Sequence, residues 1–133
     1  MARIGSCWFF GSRIESVVVP ASVREIGAEA FGRCGALRCV SFSEGSQLRV
    51  IGPMGFYGCR LEGVSLPASL EEIREYAFYG NLLRSVVFRG SRLREVGDYA
   101  FGDNGGLTRE EVQIPADARV SGEAFAFDYH REL

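Results

Sequence analysis

One feature restricts the folding of this chain more than any other: a phenylalanine that returns at positions 9, 31, 56, 78, 101 and 125. Aligned on that residue, the chain reads IGSCWF (4–9), IGAEAF (26–31), IGPMGF (51–56), IREYAF (73–78), VGDYAF (96–101) and VSGEAF (120–125). A β-branched apolar residue stands five positions before every Phe. The residue directly before it is Ala or Gly in each copy except the first, which has Trp8. The spacings are 22, 25, 22, 23 and 24 residues. Self-similarity at a period of roughly 20–50 residues marks a stacked array. One unit of that size cannot bury its own apolar stripe, but stacking lets each coil cover the next and turns the stripes into ladders of like side chains. A small residue before the Phe then marks a place where neighbouring coils come close.

A second element follows each marker, with the form L/I-x-x-V-x-apolar: Ile14 to Val19, Leu37 to Phe42, Leu61 to Leu66 and Leu83 to Phe88. The fifth copy, Leu107 to Ile114, carries two extra residues. Apolar residues at alternate positions signal a short strand with one buried face, and one strand per coil gives a parallel ladder. In the marker segment, Ile73, Ala77 and Phe78 recur at helix-like spacing and stop at Gly80, which predicts a helical turn or two on the opposite wall. A two-coil superperiod overlies the repeat. Pro20-Ala21-Ser22, Pro67-Ala68-Ser69 and Pro115-Ala116-Asp117 end the strands of one coil type, and Ser43-Glu44-Gly45-Ser46 and Arg89-Gly90-Ser91 those of the other. Proline suits a sharp corner where no ladder bond is made.

Composition narrows the classes further. With 133 residues, 47% hydrophobic and 24% charged, the chain has the make-up of one globular domain. All 15 basic residues are Arg, against 17 acidic ones, so the overall balance lends no support to a nucleic-acid partner. The N-terminus lacks the basic start and apolar core of a signal peptide, and no run approaches membrane-spanning length, so no membrane insertion is expected. Cys7, Cys34, Cys39 and Cys59 show no zinc-type pairing and are too sparse for a disulfide scaffold.

The pattern LPxSLxxIxxxAFxxCxxLxxV stands out in two places. It runs from Leu66-Pro67-Ala68-Ser69-Leu70 through Ile73 to Ala77-Phe78, and from Val19-Pro20 through Ala30-Phe31 and Cys34 to Leu37 and Val40. It resembles the BspA-like class of leucine-rich repeats, over almost the whole chain. The resemblance implies an α/β repeat solenoid: a right-handed leucine-rich-repeat superhelix with a short-strand parallel sheet on one face and short helical turns on the other. It also implies a setting on a cell surface or in secretion, among proteins that bind host proteins, matrix or other cells. Fold analogy identifies a ligand far less well than it identifies an architecture.

The candidate chemistry is sparse. Cys34, Cys59, Asn81 and Asn104 each sit three residues after a marker, where a small side chain that bonds the backbone at a buried corner is expected rather than a metal or redox centre. The single histidine, His130, lies in the terminal Asp128-Tyr129-His130-Arg131 stretch, a poor place for a rigidly held catalytic or metal-binding group. Glu71-Glu72 and Glu110-Glu111 lack an opposing wall to make a hydrolytic cleft and read as solvated faces. The glycines, such as Gly27, Gly52 and Gly97, fall at corners and never in a phosphate-binding loop. No catalytic site, cofactor or metal is therefore expected.

Stacking also predicts surfaces. Glu15, Arg38, Glu62 and Arg84 alternate in sign at one position and should form a register-setting ladder with a spacing of about 5 Å. The outward residues at strand centres should be Val18, Ser41, Ser65, Val87 and Gln113, a small uncharged face that could accept a flat protein surface. Phe10, Tyr57 and Tyr79, each directly after a marker, either cover the core of their own coil or stand exposed as anchors, since aromatic side chains often become contact hot spots. Residues 1–133 thus read as one domain of five to six coils that acts as a non-catalytic module recognising a protein partner. A structural spacer and a carbohydrate-binding surface are the alternatives. The chain opens inside a coil at Ile4-Gly5 and ends soon after Phe125. That reads as a fragment of a longer array, or as a small protein that associates end to end.

Overall fold

The computed structural model describes residues 2–129 and is a β-solenoid of stacked parallel coils. Its strands in chain order are β1 (Arg3–Ile4), β2 (Ser16–Val19), β3 (Glu25–Ile26), β4 (Cys39–Phe42), β5 (Val50–Ile51), β6 (Gly63–Leu66), β7 (Glu72–Ile73), β8 (Ser85–Phe88), β9 (Glu95–Val96) and β10 (Arg119–Val120). The two-residue strands form one continuous parallel sheet in the order β1-β3-β5-β7-β9-β10. Its register places Ile4, Ile26, Ile51, Ile73, Val96 and Val120 in one row. The first five are buried, so the β-branched residue of each marker segment is the rivet of this wall.

The longer strands do not make the single ladder that the repeated L/I-x-x-V-x-apolar element predicts. They form two separate pairs, β2 with β4 and β6 with β8. The two-coil superperiod surfaces here, because the break falls at the second coil, where the chain takes the long Ser43-to-Ser46 corner. An open groove lined by Ser41, Phe42, Glu44, Ser65, Pro67 and Arg89 lies at the break. The fifth coil gives no long strand at all. Its two extra residues are taken up by a 3-10 turn at Arg109–Glu111, closed by a Thr108–Glu111 capping box.

The marker segments are not the helical turns that their spacing predicts, and the 3-10 turn is the one helical element among the described residues. The reason is in the backbone. Cys7, Glu29, Met54, Tyr76 and Tyr99, two residues before their markers, all adopt left-handed conformations with φ of 57–60°. Two residues after the markers, Gly11, Arg33, Gly58, Gly80 and Asp103 do the same. A right-handed helix cannot survive a left-handed residue every fourth position. The strain of a side chain in this region is held by bonds between coils. The Phe31 amide donates to the Gly55 carbonyl at 2.8 Å, that of Phe56 to Ala77 at 2.7 Å, and that of Phe78 to Ala100 at 2.8 Å. These bonds draw adjacent coils together just before each Phe, where Ala30, Gly55, Ala77 and Ala100 are buried.

The marker rings themselves form a column. Centroid distances from Phe9 to Phe125 run 5.1, 5.1, 5.3, 5.5 and 5.3 Å. Stacking sets that spacing, since parallel coils repeat at about 4.8 Å. Phe31, Phe56, Phe78 and Phe101 are completely buried, whereas Phe9, at the first coil, is 39% exposed.

Beside the column runs a polar ladder that organises the corners. The Asn81 side-chain amide donates to the carbonyls of Phe56 (2.8 Å) and Phe78 (3.0 Å) and accepts the Leu61 amide at 3.1 Å. Asn104 repeats this one coil on, with the Phe78 and Phe101 carbonyls and the Leu83 amide. Cysteine occupies the place in two earlier coils, where Cys34 donates to the Phe9 carbonyl at 3.0 Å and Cys59 to that of Phe31 at 3.1 Å, with a longer approach to the Tyr57 carbonyl at 4.0 Å. A thiol accepts poorly, so the Leu37 amide, which an Asn at position 59 would have taken, turns back to the Cys34 carbonyl of its own coil at 3.0 Å. The sixth coil has Asp128 here, and a carboxylate has no proton to give a carbonyl. The Leu107 amide again turns inward, to the Asn104 carbonyl at 3.1 Å. The chain instead runs back along the solenoid, where Tyr76 donates its hydroxyl hydrogen to the Asp128 carboxylate and the Asp128 amide donates to the Tyr79 hydroxyl at 3.0 Å. Gly102 permits this path, because a Cβ there would overlap the Ala126 carbonyl oxygen.

Cys34 and Cys59 are buried and free, Cys7 and Cys39 exposed and free. Burial pushes the Cys59 thiol up from 9.0 to about 12, and raises Cys34 in the same direction. Two thiols per chain should therefore react with a disulfide reagent under native conditions and four after denaturation. A thiol whose folded pKa is raised stabilises the fold below its unfolded value and loses that contribution as pH climbs. Melting temperature should then fall between pH 9 and about 12. Cys59→Ser, which removes the titration, should flatten the fall.

Candidate functional site

The face formed by the longer strands carries most of the sequence-predicted partner-binding residues. Register sets Val18 beside Ser41 and Ser65 beside Val87. Val18 and Val87 are 63% and 53% exposed, large fractions for valines in regular strands. Ser41 is exposed, and Ser65 is half-buried because its hydroxyl accepts a hydrogen bond from Arg89 Nε at 2.7 Å. Gln113 is exposed but follows the 3-10 turn outside any strand, so the face it was expected to complete ends at β8. The result is a low apolar and hydroxyl surface at the centre of the wall, divided by the groove between the two strand pairs.

Tyr57 and Tyr79 must be corrected. They are 5% and 0% exposed and cannot serve as surface anchors. Their rings stack at 5.7 Å, Tyr76 meets Tyr79 edge-on at 5.4 Å, and Tyr76 stacks on Tyr99 at 5.2 Å. The space comes from an adjacent coil. A Cβ on Gly102 would lie 2.9 Å from the Tyr79 ring, so glycine there makes room for the tyrosine. Burial raises the Tyr79 pKa, while the hydrogen bond to Glu123 takes Tyr99 up to about 12. Phe10 remains 45% exposed and stands with Trp8, at 57%, and Phe9 on the first coil. Nothing in the marker motif distinguishes the exposed Phe10 from the buried Tyr79. Both rings face a glycine of the next coil, Gly32 and Gly102, and the distinction is that Tyr79 also has Tyr57 of the preceding coil stacked on it, whereas Phe10 lies on the first coil.

The expected charge ladder is in register but unpaired. Arg38 and Glu15 are joined by a backbone bond of 2.9 Å, and Arg84 and Glu62 by one of 2.8 Å. Among the described residues, however, no ion pair links these side chains. The ion pairs sit on the continuous sheet instead: Arg3 with Glu25 (3.7 Å), Arg74 with Glu72 (3.2 Å) and Arg119 with Glu95 (3.8 Å). Glu71 takes two partners, Arg49 at 3.2 Å and Arg94 at 3.5 Å. The Arg49 hydrogen bond, helped by the charges of Arg94 and Arg92, holds its carboxyl below the usual carboxylate range. Sequence reasoning passed over one such row, although aligning REI (24–26), RVI (49–51), EEI (71–73) and REV (94–96) on the buried residue puts Arg24, Arg49 and Arg94 in one column with Glu71.

Among the described residues, no group of three or more His, Cys, Asp or Glu is placed to hold a metal ion, and every buried side-chain nitrogen or oxygen has a hydrogen-bond partner. Asn81, Asn104, Cys34 and Cys59 are part of the framework. His130 lies outside the described residues.

Comparison with known proteins places this geometry. The family described as the BspA type leucine-rich repeat region is matched in six copies over residues 2–131. The crystal structure of the pneumococcal vaccine antigen PcpA aligns with a TM-score of 0.70 at 25% identity, covering 84% of this chain and 28% of that one. This chain therefore spans little more than a quarter of that structure. A leucine-rich repeat protein from Bacteroides ovatus ATCC 8483 aligns with a TM-score of 0.38 at 19% identity, over 79% of this chain and 45% of the other. No curated protein matches the sequence.

Proposed function

We propose that this chain, which belongs to the BspA-type leucine-rich-repeat family, is a non-catalytic recognition module that binds a protein partner through its longer-strand face. The observation that carries this reading is the pair of solvent-facing valines, Val18 and Val87, at the two ends of a row with Ser41 and Ser65 on the outer side of the longer strands. Exposed β-branched residues at strand centres contribute nothing to the core beneath them. Grouped on a flat face, they offer desolvation with few charges to strip of water. The residues that recur from coil to coil, Phe, Ile, Leu and Asn, point inward and are spent on packing and backbone bonding, which leaves the variable outer positions for recognition. Likeness to a vaccine antigen supports display where other proteins can reach it.

Selection from a display library of extracellular protein domains tests this, with the Val18→Glu/Val87→Glu double variant as counter-probe. Both sites are exposed, so the variant should melt within a few degrees of the parent. Ligands enriched by the parent should lose roughly tenfold or more in affinity for the variant, which places charges where apolar contact is made. Ligands that bind both equally would remove the face from consideration, and a library that yields none would favour the spacer role.

A further inference from the structure

The net charge of −2 conceals a concentration of positive charge that only stacking creates. Arg24, Arg49, Glu71 and Arg94 occupy one outer row in successive coils. The row is joined by backbone bonds from Arg49 to Arg24, Glu71 to Arg49 and Arg94 to Glu71, each 2.8 Å. Arg92, two residues before the last of them, lines the same open groove of about 290 Å³ together with Arg24, Arg49, Gln47, Ser69 and Glu71. The groove lining carries three guanidinium groups against one carboxylate, leaving two positive charges, and Arg94 stands beyond it in the row. Glu71 does not neutralise the row so much as arrange it, holding Arg49 through two contacts of 3.2 and 3.4 Å and Arg94 at 3.5 Å. Among the described residues, Arg24 and Arg92 make no ion pair, so their donors face the groove and solvent.

We propose that this groove binds a sulfated polysaccharide. Guanidinium groups are planar forks suited to bidentate bonding of sulfate oxygens. In a parallel solenoid the row repeats at about 5 Å per coil, with Arg in three of its four places, so a polymer with repeated charges meets a row rather than a point. The remaining lining fits the uncharged part of such a ligand. The Ser69 hydroxyl already donates to the Leu48 carbonyl at 2.6 Å and keeps lone pairs to accept sugar hydroxyls, and the Gln47 amide offers both donor and acceptor. Other polyanions fit less well. No aromatic side chain lines the groove to stack a base. The backbone beside it is already paired in the continuous sheet, which leaves an acidic peptide neither a strand edge nor an apolar pocket. Neither Val18 nor Val87 lines the groove, which meets the longer-strand face only at the Ser46 corner.

Titration calorimetry of the full chain with a heparin hexasaccharide, at low salt and then at rising salt, tests the assignment. The hexasaccharide should bind, with a salt dependence corresponding to about two to three released ions. Arg24→Ser/Arg92→Ser should weaken binding roughly tenfold or more. The control Arg38→Ser/Arg84→Ser removes equal charge from another wall and should change affinity by less than about twofold. Thermal melts of both variants should overlay the parent. No binding at low salt would overturn the proposal, as would equal losses in the two double variants. A hyaluronan fragment of equal length binding as tightly would show that sulfate is not what is recognised. Tighter binding of a polyglutamate peptide of matched charge would assign the groove to an acidic protein segment.

Discussion

Phe78→Ala should destabilise the chain by about 3–5 kcal/mol, the range for deleting a fully buried aromatic side chain. Phe9→Ala should cost under about 2 kcal/mol. Both residues are markers of the same repeat, and the difference is positional. Phe78 is completely buried between Phe56 at 5.3 Å and Phe101 at 5.5 Å, and removing it opens a gap that neither neighbour can fill without moving its coil. Phe9 is 39% exposed and has a ring on one side only, Phe31 at 5.1 Å, so its removal uncovers surface more than it makes a cavity. Urea unfolding of the two variants measures the contrast. Equal losses would mean that the column does not behave as nearest-neighbour stacking requires.

Replacing Asn81 by Leu, which has the same branched skeleton, should also be damaging, by a different route. Two backbone groups depend on that side chain: the Phe56 carbonyl, which it donates to, and the Leu61 amide, which it accepts, while the Phe78 carbonyl keeps its bond from Asn104. Asn81 is 3% exposed, so water has little access to replace it. Each buried polar group left without a partner costs about 1–3 kcal/mol, giving a loss of about 2 kcal/mol or more. Asn81→Cys should be milder, because Cys34 and Cys59 show that the corner can close with one bond to a carbonyl and an inward turn of the Leu amide. The order wild type, Cys, Leu in urea midpoints is the expected result. A Leu variant as stable as the Cys variant would show that filling the volume matters more than bonding the backbone.

The Asn ladder was legible in part. Its positions follow from counting three residues after each Phe, and its burial from the small polar residues found there. What counting could not show is that each Asn serves the preceding coil as well as its own, so that the effect of Cys59 appears in coil two, at Leu37. The helical turns predicted for the marker segments failed for a related reason. Apolar spacing at Ile73, Ala77 and Phe78 satisfies a helix and a tight left-handed turn equally. Left-handed conformations at Glu29, Met54, Tyr76 and Tyr99 become affordable only through bonds to the next coil. Gly11, Gly58 and Gly80, recurring two residues after the marker, were the readable sign of left-handed backbone.

The candidate surfaces divide in the same way. Val18, Ser41, Ser65 and Val87 could be placed on an outer face because alternation along a strand is a local property. Tyr57 and Tyr79 could not be placed, since whether a ring after the marker is covered depends on the residues of neighbouring coils, as Gly102 shows for Tyr79. The arginine row is likewise a property of stacking, made of residues 22 to 25 positions apart. The sequence by itself determined that the chain repeats, how long each coil is and which side chains turn inward, because a period and its apolar stripe are written along the chain. Only the tertiary structure decided which strands pair, which backbone turns left and which outer residues meet. Those outcomes depend on contacts between coils, and such contacts form only once the stack closes.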